Sequence, residues 1–188
     1  LSVNPFHPHH PFDPPWEYYQ RYDPGSMPKP HFKHSDLQQQ ARLAEIVFNT
    51  PAAEPDVTAS QRTTAAYYAM IEQIDHEFGR IINVLESSGQ LENTIVLFMS
   101  DHGESLWDHG LLLKGCRFYE GLTRVPLIWS WPGVISSSVR SNALVELTDI
   151  APTLLEFAGV SAPPDMQGRS LAPIVTGKAP PDYHRDFV

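Results

Sequence analysis

Cysteine is almost missing from this chain: the 188 residues hold one, Cys116. A single thiol makes no internal disulfide, so no disulfide framework supports the fold. Basic residues are also few, 13 Lys and Arg against 22 Asp and Glu, for a net charge of −9. That balance argues against a nucleic-acid binder, which needs a positive face for phosphates. It leaves anionic substrates open, because a bound cation reverses the local sign. No apolar run approaches the ~20 residues that span a bilayer. One such run, Thr94–Met99, has the length of a strand. No internal repeat is visible. The opening Leu1-Ser-Val-Asn-Pro lacks the charged start and small-residue cleavage site of a signal peptide. Leu1–Asn4 reads as the end of a buried strand and Asp186-Phe187-Val188 as a possible strand start, so the chain reads as an excerpt. Periplasmic, extracellular and lysosomal locations all stay open.

What is present is ordinary globular material, 41% apolar and 19% charged, long enough for one domain with a core. Pro5–Pro30 holds many of the 18 prolines, interleaved with Phe6, Phe12, Trp16, Tyr18, Tyr19 and Tyr22. Proline fixes φ and lacks a donor, which excludes a regular helix or central strand. The aromatics and histidines predict an ordered loop packed on a surface; the alternative is a polyproline segment that binds a partner. A short helix is predicted over Asp36–Val47. Tyr68, Ile71, Asp75, Phe78, Ile82 and Leu85 then fall at helical spacing, with Ser60 as N-cap and Gly89 as the stop. Thr94–Met99 and Pro126–Trp131 read as strands, the second closed by Pro132-Gly133. Asp149–Ala158 reads as a helix capped by Thr148 and closed by Gly159, with Pro152 in its first turn. This is an α/β order. A first strand apolar on both faces predicts a mostly parallel sheet with helices on both faces.

Chemistry concentrates after the first strand, in Ser100-Asp101-His102-Gly103-Glu104. Ligands of open α/β sheets collect at the carboxyl ends of strands. Asp101 and His102 offer an oxygen and a nitrogen donor, and both reach one ion only if the chain turns, which Gly103 permits. Asp108-His109-Gly110, Lys114-Gly115, Tyr119-Glu120-Gly121, Arg124-Val125-Pro126 and Trp131-Pro132-Gly133 follow. A loop this long is usually functional when ordered. Lys114 brings a compact charge with three donors, suited to an oxyanion. Upstream, Pro8-His9-His10-Pro11-Phe12-Asp13-Pro14-Pro15 aims two imidazoles, the side chains best placed to move a proton near neutral pH. His31, His34, His76 and His184 read as surface or incidental.

These motifs, in this order, resemble the sulfatase family of the alkaline-phosphatase-like superfamily. The likeness covers nearly the whole chain. Pro-His-His-Pro is similar to the family's segment with a substrate-binding histidine, Tyr67–Leu85 to its long helix, and Leu147–Leu155 with Gly168-Arg-Ser-Leu to the end of its large domain. The resemblance implies a partial catalytic domain over 1–188: an active-site loop at 5–30, a core at 60–159 and the start of a C-terminal region at 160–188. It implies that Asp101 and His102 ligate a divalent cation, calcium first and manganese as the alternative. Many members carry Asn where His102 stands. Lys114 would bind the sulfate and stabilise its leaving oxygen. His9 would protonate the leaving alcohol or hold the sulfate, His10 would bind substrate, and His109 would line the same pocket as a further catalytic group. Trp107 and Arg117 would shape its substrate end.

The family's nucleophile is a formylglycine made from Cys or Ser in a Cys/Ser-x-Pro-Ser-Arg motif, and no such motif occurs in the sequence. Cys116 sits in Gly-Cys-Arg-Phe-Tyr and reads as a packed loop thiol. The expectation is a sulfuric ester hydrolase acting on a sulfated small molecule or glycan. Its formylglycine and first aspartate pair lie upstream, and the isolated chain is inactive. The alternatives are a phosphonate monoester or phosphodiester hydrolase of the same superfamily, and a non-catalytic fragment.

Overall fold

The computed structural model describes residues 1–43, 51–179 and 183. They divide into two units, one of Leu1–Val84 with His102–Val125 and one of Leu85–Asp101 with Pro126–Val188.

The first unit is built on helix α3, Val57–Ser87, with short helices α1 (Trp16–Tyr19), α2 (His34–Arg42) and α4 (Glu120–Thr123). Asp56, not Ser60, caps α3: its carboxylate accepts the Ala59 N–H at 2.9 Å. Ser60 lies inside the helix and is buried. The packed face of the N-terminal half is Ser60, Thr64, Ala65, Ala66, Ala69 and Met70, whereas Tyr68 and Ile71 of the expected face are 38% and 43% exposed. The buried face is thus made mostly of small residues, and the proline-rich segment is anchored to polar residues of the helix. The contacts run from Gln61 to His76: Gln61 Nε2 donates to the Met27 carbonyl, His7 Nδ1 pairs with Gln73 Oε1, Tyr18 shares a hydrogen bond with His76, and Arg21 pairs with Glu72. The fully buried Met70 contributes about 1.5–3 kcal/mol. The proline-rich segment is thus an ordered loop on a helix.

Helix α2 begins two residues before the expected start, with the Asp36 carboxylate accepting the Lys33 N–H at 2.8 Å. Residues 44–47 of the expected helix lie outside the described residues, as do Asp186-Phe187-Val188 and His184. Leu1–Asn4, expected as the end of a strand, are exposed and form none. Extended chain becomes strand only by pairing, and these residues pair with no described segment.

The second unit carries strands β1 (Val96–Met99) and β2 (Leu127–Ser130) and helices α5 (Ile150–Phe157) and α6 (Ala172–Val175). The strands pair antiparallel, Val96 opposite Ser130 and Met99 opposite Leu127. A parallel neighbour was the expectation for β1. The chain instead re-enters the sheet beside the point where it left, so Met99 faces Leu127 and the direction must reverse. Trp129 and Trp131 pack their rings on Phe157 of α5, at 6.2 and 5.6 Å.

The glycine stops are where the sequence predicts them. Gly89 has φ +68°, with hydrogen bonds from Gly89 N–H to Glu86 O and from Gln90 N–H to Leu85 O. Gly159 repeats this at φ +69°. Both are the left-handed closure that glycine tolerates best. The start of the last pattern is different. Thr148 does not cap it; a 3₁₀ turn, Leu147–Asp149, precedes α5. Asp149, fully buried, accepts from the backbone N–H groups of Glu146 at 2.9 Å and Arg169 at 2.7 Å. Asp149→Ala removes the acceptor of both part-buried donors, at a cost of about 1–3 kcal/mol. Thermal melting of the natural full-length protein is expected to fall by several degrees; an unchanged melt would show that Asp149 holds nothing.

Candidate active site

The loop that follows β1 begins with a backbone clamp. Gly103 N–H donates to Leu122 O at 2.9 Å and Glu104 N–H to Gly121 O at 3.0 Å. A Cβ on Gly103 would sit 1.9 Å from the Gly121 oxygen. Gly103 does not take a left-handed backbone. Its purpose is this close approach rather than the turn the sequence suggests. Beyond the clamp, Leu106, Trp107, His109 and Leu113 all have positive φ, between 47° and 73°. Such conformations cost about 1–3 kcal/mol each for side-chain-bearing residues and persist where surroundings over-determine them. Here those surroundings include Ser105 N–H to Leu113 O at 3.0 Å and Trp107 N–H to Leu111 O at 2.8 Å.

The clamp and the proline-rich segment bring four functional groups together. Lys114 Nζ lies 3.4 Å from His10 Nδ1 and 4.0 Å from Glu104 Oε2. The Lys114 and Glu104 side chains are 16% and 4% exposed. His9 stacks on His10 with centroids 4.0 Å apart. The partners decide the tautomers. An ammonium only donates, so His10 accepts at Nδ1 and carries its proton on Nε2. His9 Nδ1 faces the His10 carbonyl at 2.7 Å, so it carries the proton and Nε2 is the atom that gains or releases one. Burial, His9 and the Lys114 charge hold the His10 pKa below its ordinary value. Burial pushes the Glu104 carboxyl up despite the opposing hydrogen bond from Ser105 N–H and the Lys114 charge. Burial, with Glu104 adding to it, raises the Tyr67 phenol to about 12. Tyr67 meets Phe12 edge-on at 6.1 Å, and Phe12 meets His10 at 6.5 Å.

Asp101 and His102 are both exposed. Ser100 Oγ approaches Asp101 Oδ1 at 3.5 Å. His102 Nδ1 donates to its neighbour's carbonyl, Gly103 O, at 2.9 Å, which makes Nε2 the nitrogen with ligand character. No group of three or more His, Cys, Asp or Glu able to hold a metal occurs among the described residues. One carboxylate and one imidazole do not make a calcium site, which takes six to eight oxygens.

His109 belongs to a second cluster. It stacks on Tyr119 at 3.8 Å, lies 3.5 Å from Asp36 Oδ2 and 5.5 Å ring to ring from His31. A pocket of about 310 Å³ is lined there by His31, Asp108, His109, Tyr119 and Glu120 among others. His31, read as incidental, is part of it. Arg117 is buried rather than presented to substrate: its guanidinium donates to Gln40 Oε1 at 2.9 Å, Cys116 O at 2.9 Å and Leu43 O at 3.2 Å. It ties α2 to the loop. Cys116 is exposed, not packed. Its neighbour's guanidinium takes the interior position, which leaves the thiol facing out.

The Sulfatase family model matches residues 1–160. The chain is 35% identical over 178 residues to an arylsulfatase of Clostridium perfringens, covering 93% of this chain and 37% of that protein. It is 43% identical over 122 residues to an N-acetylglucosamine-6-O-sulfatase of Bacteroides thetaiotaomicron, covering 63% and 22%. Its structure resembles that of a phosphonate monoester hydrolase from Silicibacter pomeroyi at TM-score 0.81 and 31% identity, covering 94% and 37%. The fold class is that alkaline-phosphatase-like α/β class, and the chain spans less than two fifths of these relatives' lengths.

A lowered His10 pKa means that its neutral form is favoured in the fold. The associated stability is present above the ordinary value near 6.5 and is lost as pH falls through the folded one. Imidazole NMR of the natural protein is expected to give a His10 midpoint below 6.5. Lys114→Met is expected to raise it; a midpoint indifferent to Lys114 would contradict the contact.

Proposed function

We propose that this chain, which belongs to the sulfatase family, serves the hydrolysis of sulfate monoesters, with Lys114, His9 and His10 handling the sulfate and its leaving oxygen. The observation that carries this reading is the cluster itself: one ammonium within 3.4 Å of an imidazole, beside a second imidazole stacked on the first.

Breaking a sulfate ester cleaves the sulfur–oxygen bond and leaves an alcohol that needs a proton. Lys114 lies on the sulfate oxygens and opposes the charge that builds on them, the main electrostatic task of such a site. His10, kept neutral, donates its Nε2–H to a sulfate oxygen without adding charge. His9 gives its Nε2 proton to the departing oxygen. Its Nδ1–H on the His10 carbonyl orients the ring and supports the imidazolium before transfer. His109, with His31, shapes the neighbouring pocket.

The sulfatase family generally uses a divalent cation and a formylglycine. Asp101 and His102 are the residues we assign to the cation, calcium first and manganese second. Two donors of mixed type fall short of a calcium shell, which takes six to eight oxygens. The sequence has no Cys/Ser-x-Pro-Ser-Arg motif, so no nucleophilic step is assigned to this chain, and by itself it is expected not to turn over. The substrate is a sulfated small molecule or glycan. The named relatives, an arylsulfatase and an N-acetylglucosamine-6-O-sulfatase, differ in the alcohol, so family membership does not choose it.

A second reading, phosphonate monoester hydrolysis, is favoured by the likeness to the phosphonate monoester hydrolase. Rates on 4-nitrophenyl sulfate and on 4-nitrophenyl phenylphosphonate, measured in the natural full-length protein, decide between them. The proposal expects a higher kcat/KM on the sulfate by at least about 10-fold (1.4 kcal/mol). It expects Lys114→Ala to lower that value by about 10²–10³. A phosphonate preference of the same size supports the second reading. A full rate in Lys114→Ala would sink the assignment of the cluster.

A further inference from the structure

Glu104 is assigned neither to the sulfate nor to the cation, yet it is among the most enclosed charged groups of its unit, 8% exposed. Its backbone is fixed by the clamp to Gly121, and its Oε1 accepts the Ser105 N–H at 3.0 Å. The carboxylate also takes a backbone hydrogen bond from Leu106, and its Oε2 lies 4.0 Å from Lys114 Nζ. Lys114 itself sits on a flexible four-carbon stem in a loop joined to the clamp by Ser105 N–H to Leu113 O. On its other side is His10, at 3.4 Å. A lysine held only by an imidazole has a wide range of positions. A lysine between a fixed carboxylate and an imidazole has a narrow one.

Resting on the reading that Lys114 binds sulfate, we propose that Glu104 is the positioning residue that holds the Lys114 ammonium at the sulfate site. It touches no substrate and acts through Lys114 alone. Several features support this. Oε1 is already occupied by a backbone donor, which aims the carboxylate. Glu104 and Lys114 are both enclosed, so their attraction is less screened than that of a surface pair. The other groups around them are His10, Tyr67 and His102. The Tyr67 phenol, raised to about 12, stays neutral at working pH and supplies no competing charge. Gly103 serves the same end: without a Cβ it lets Gly121 approach and fix the backbone from which Glu104 projects.

The test is a double-mutant cycle in the natural full-length protein, assayed on 4-nitrophenyl sulfate with thermal melting as a control. Glu104→Gln keeps the shape and removes the charge. It is expected to lower kcat/KM by about 10–100-fold, the usual scale for a residue that orients another. In a Lys114→Met background the same change is expected to cost less than about 2-fold, because a residue acting through Lys114 has nothing left to act on. A merely structural role would multiply its loss onto Lys114→Met and lower the melt in both backgrounds, which would overturn the inference. So would wild-type kinetics in Glu104→Gln. If Lys114→Met alone leaves the rate intact, the sulfate reading has failed. NMR relaxation of the Lys114 side chain then still judges Glu104: added motion in Glu104→Gln upholds the positioning, and unchanged motion refutes it.

Discussion

The site depends on a short stretch of backbone pairing. Two N–H···O=C bonds, Gly103 to Leu122 and Glu104 to Gly121, tie the start of the long loop to its far end. They form only because position 103 has no Cβ to meet the Gly121 oxygen. Once the ends are tied, the intervening chain must turn within a small space, and four side-chain-bearing residues accept left-handed backbone to do so. Glu104 projects from the clamp itself and Lys114 from the turn it closes. The geometry of the charged pair therefore follows from a contact between two peptide groups.

The imidazoles reach the same place by a different route. Prolines hold residues 5–30 to short turns such as the four-residue α1, so their position is set by what they touch. Helix α3 offers small buried residues on one face and polar anchors beside it. Gln61, Gln73, Glu72 and His76 each take a partner from the segment. The result is a loop held along a rigid helix, which suits groups that must keep their angles. His9 and His10, adjacent and stacked, have opposite tautomers because one faces a carbonyl and the other an ammonium. Two identical side chains thus differ in what they can do with a proton.

Some of this was legible in the sequence. Gly89 and Gly159 stop their helices as expected, because a left-handed stop is a one-residue signal. The strand, the following acidic and imidazole pair, and the lone lysine were readable as a linked set of motifs. Other features were not. The α3 face differs from the expected one since a stripe of Ser, Thr and Ala looks weakly apolar, yet these small residues are the buried ones. The direction of β2 depends on where the chain re-enters the sheet, which no local pattern encodes. Arg117 read as a substrate contact, but it is buried and donates to Gln40 of α2, to Leu43 just after it and to Cys116 of the loop. His31 and Asp36 join His109 across more than 70 residues of sequence, and Glu104 drew no notice because burial of a carboxylate is invisible without coordinates.

The central claim is that a sulfate sits against Lys114 and the two imidazoles. Selenate has the shape and charge of sulfate and scatters anomalously, so its position in crystals of the natural protein can be located directly. A selenium peak is expected within hydrogen-bond reach of Lys114 Nζ and of a His9 or His10 ring nitrogen, lost in Lys114→Met. A peak that survives that substitution, or one that appears only in the pocket of His31 and His109, would contradict it.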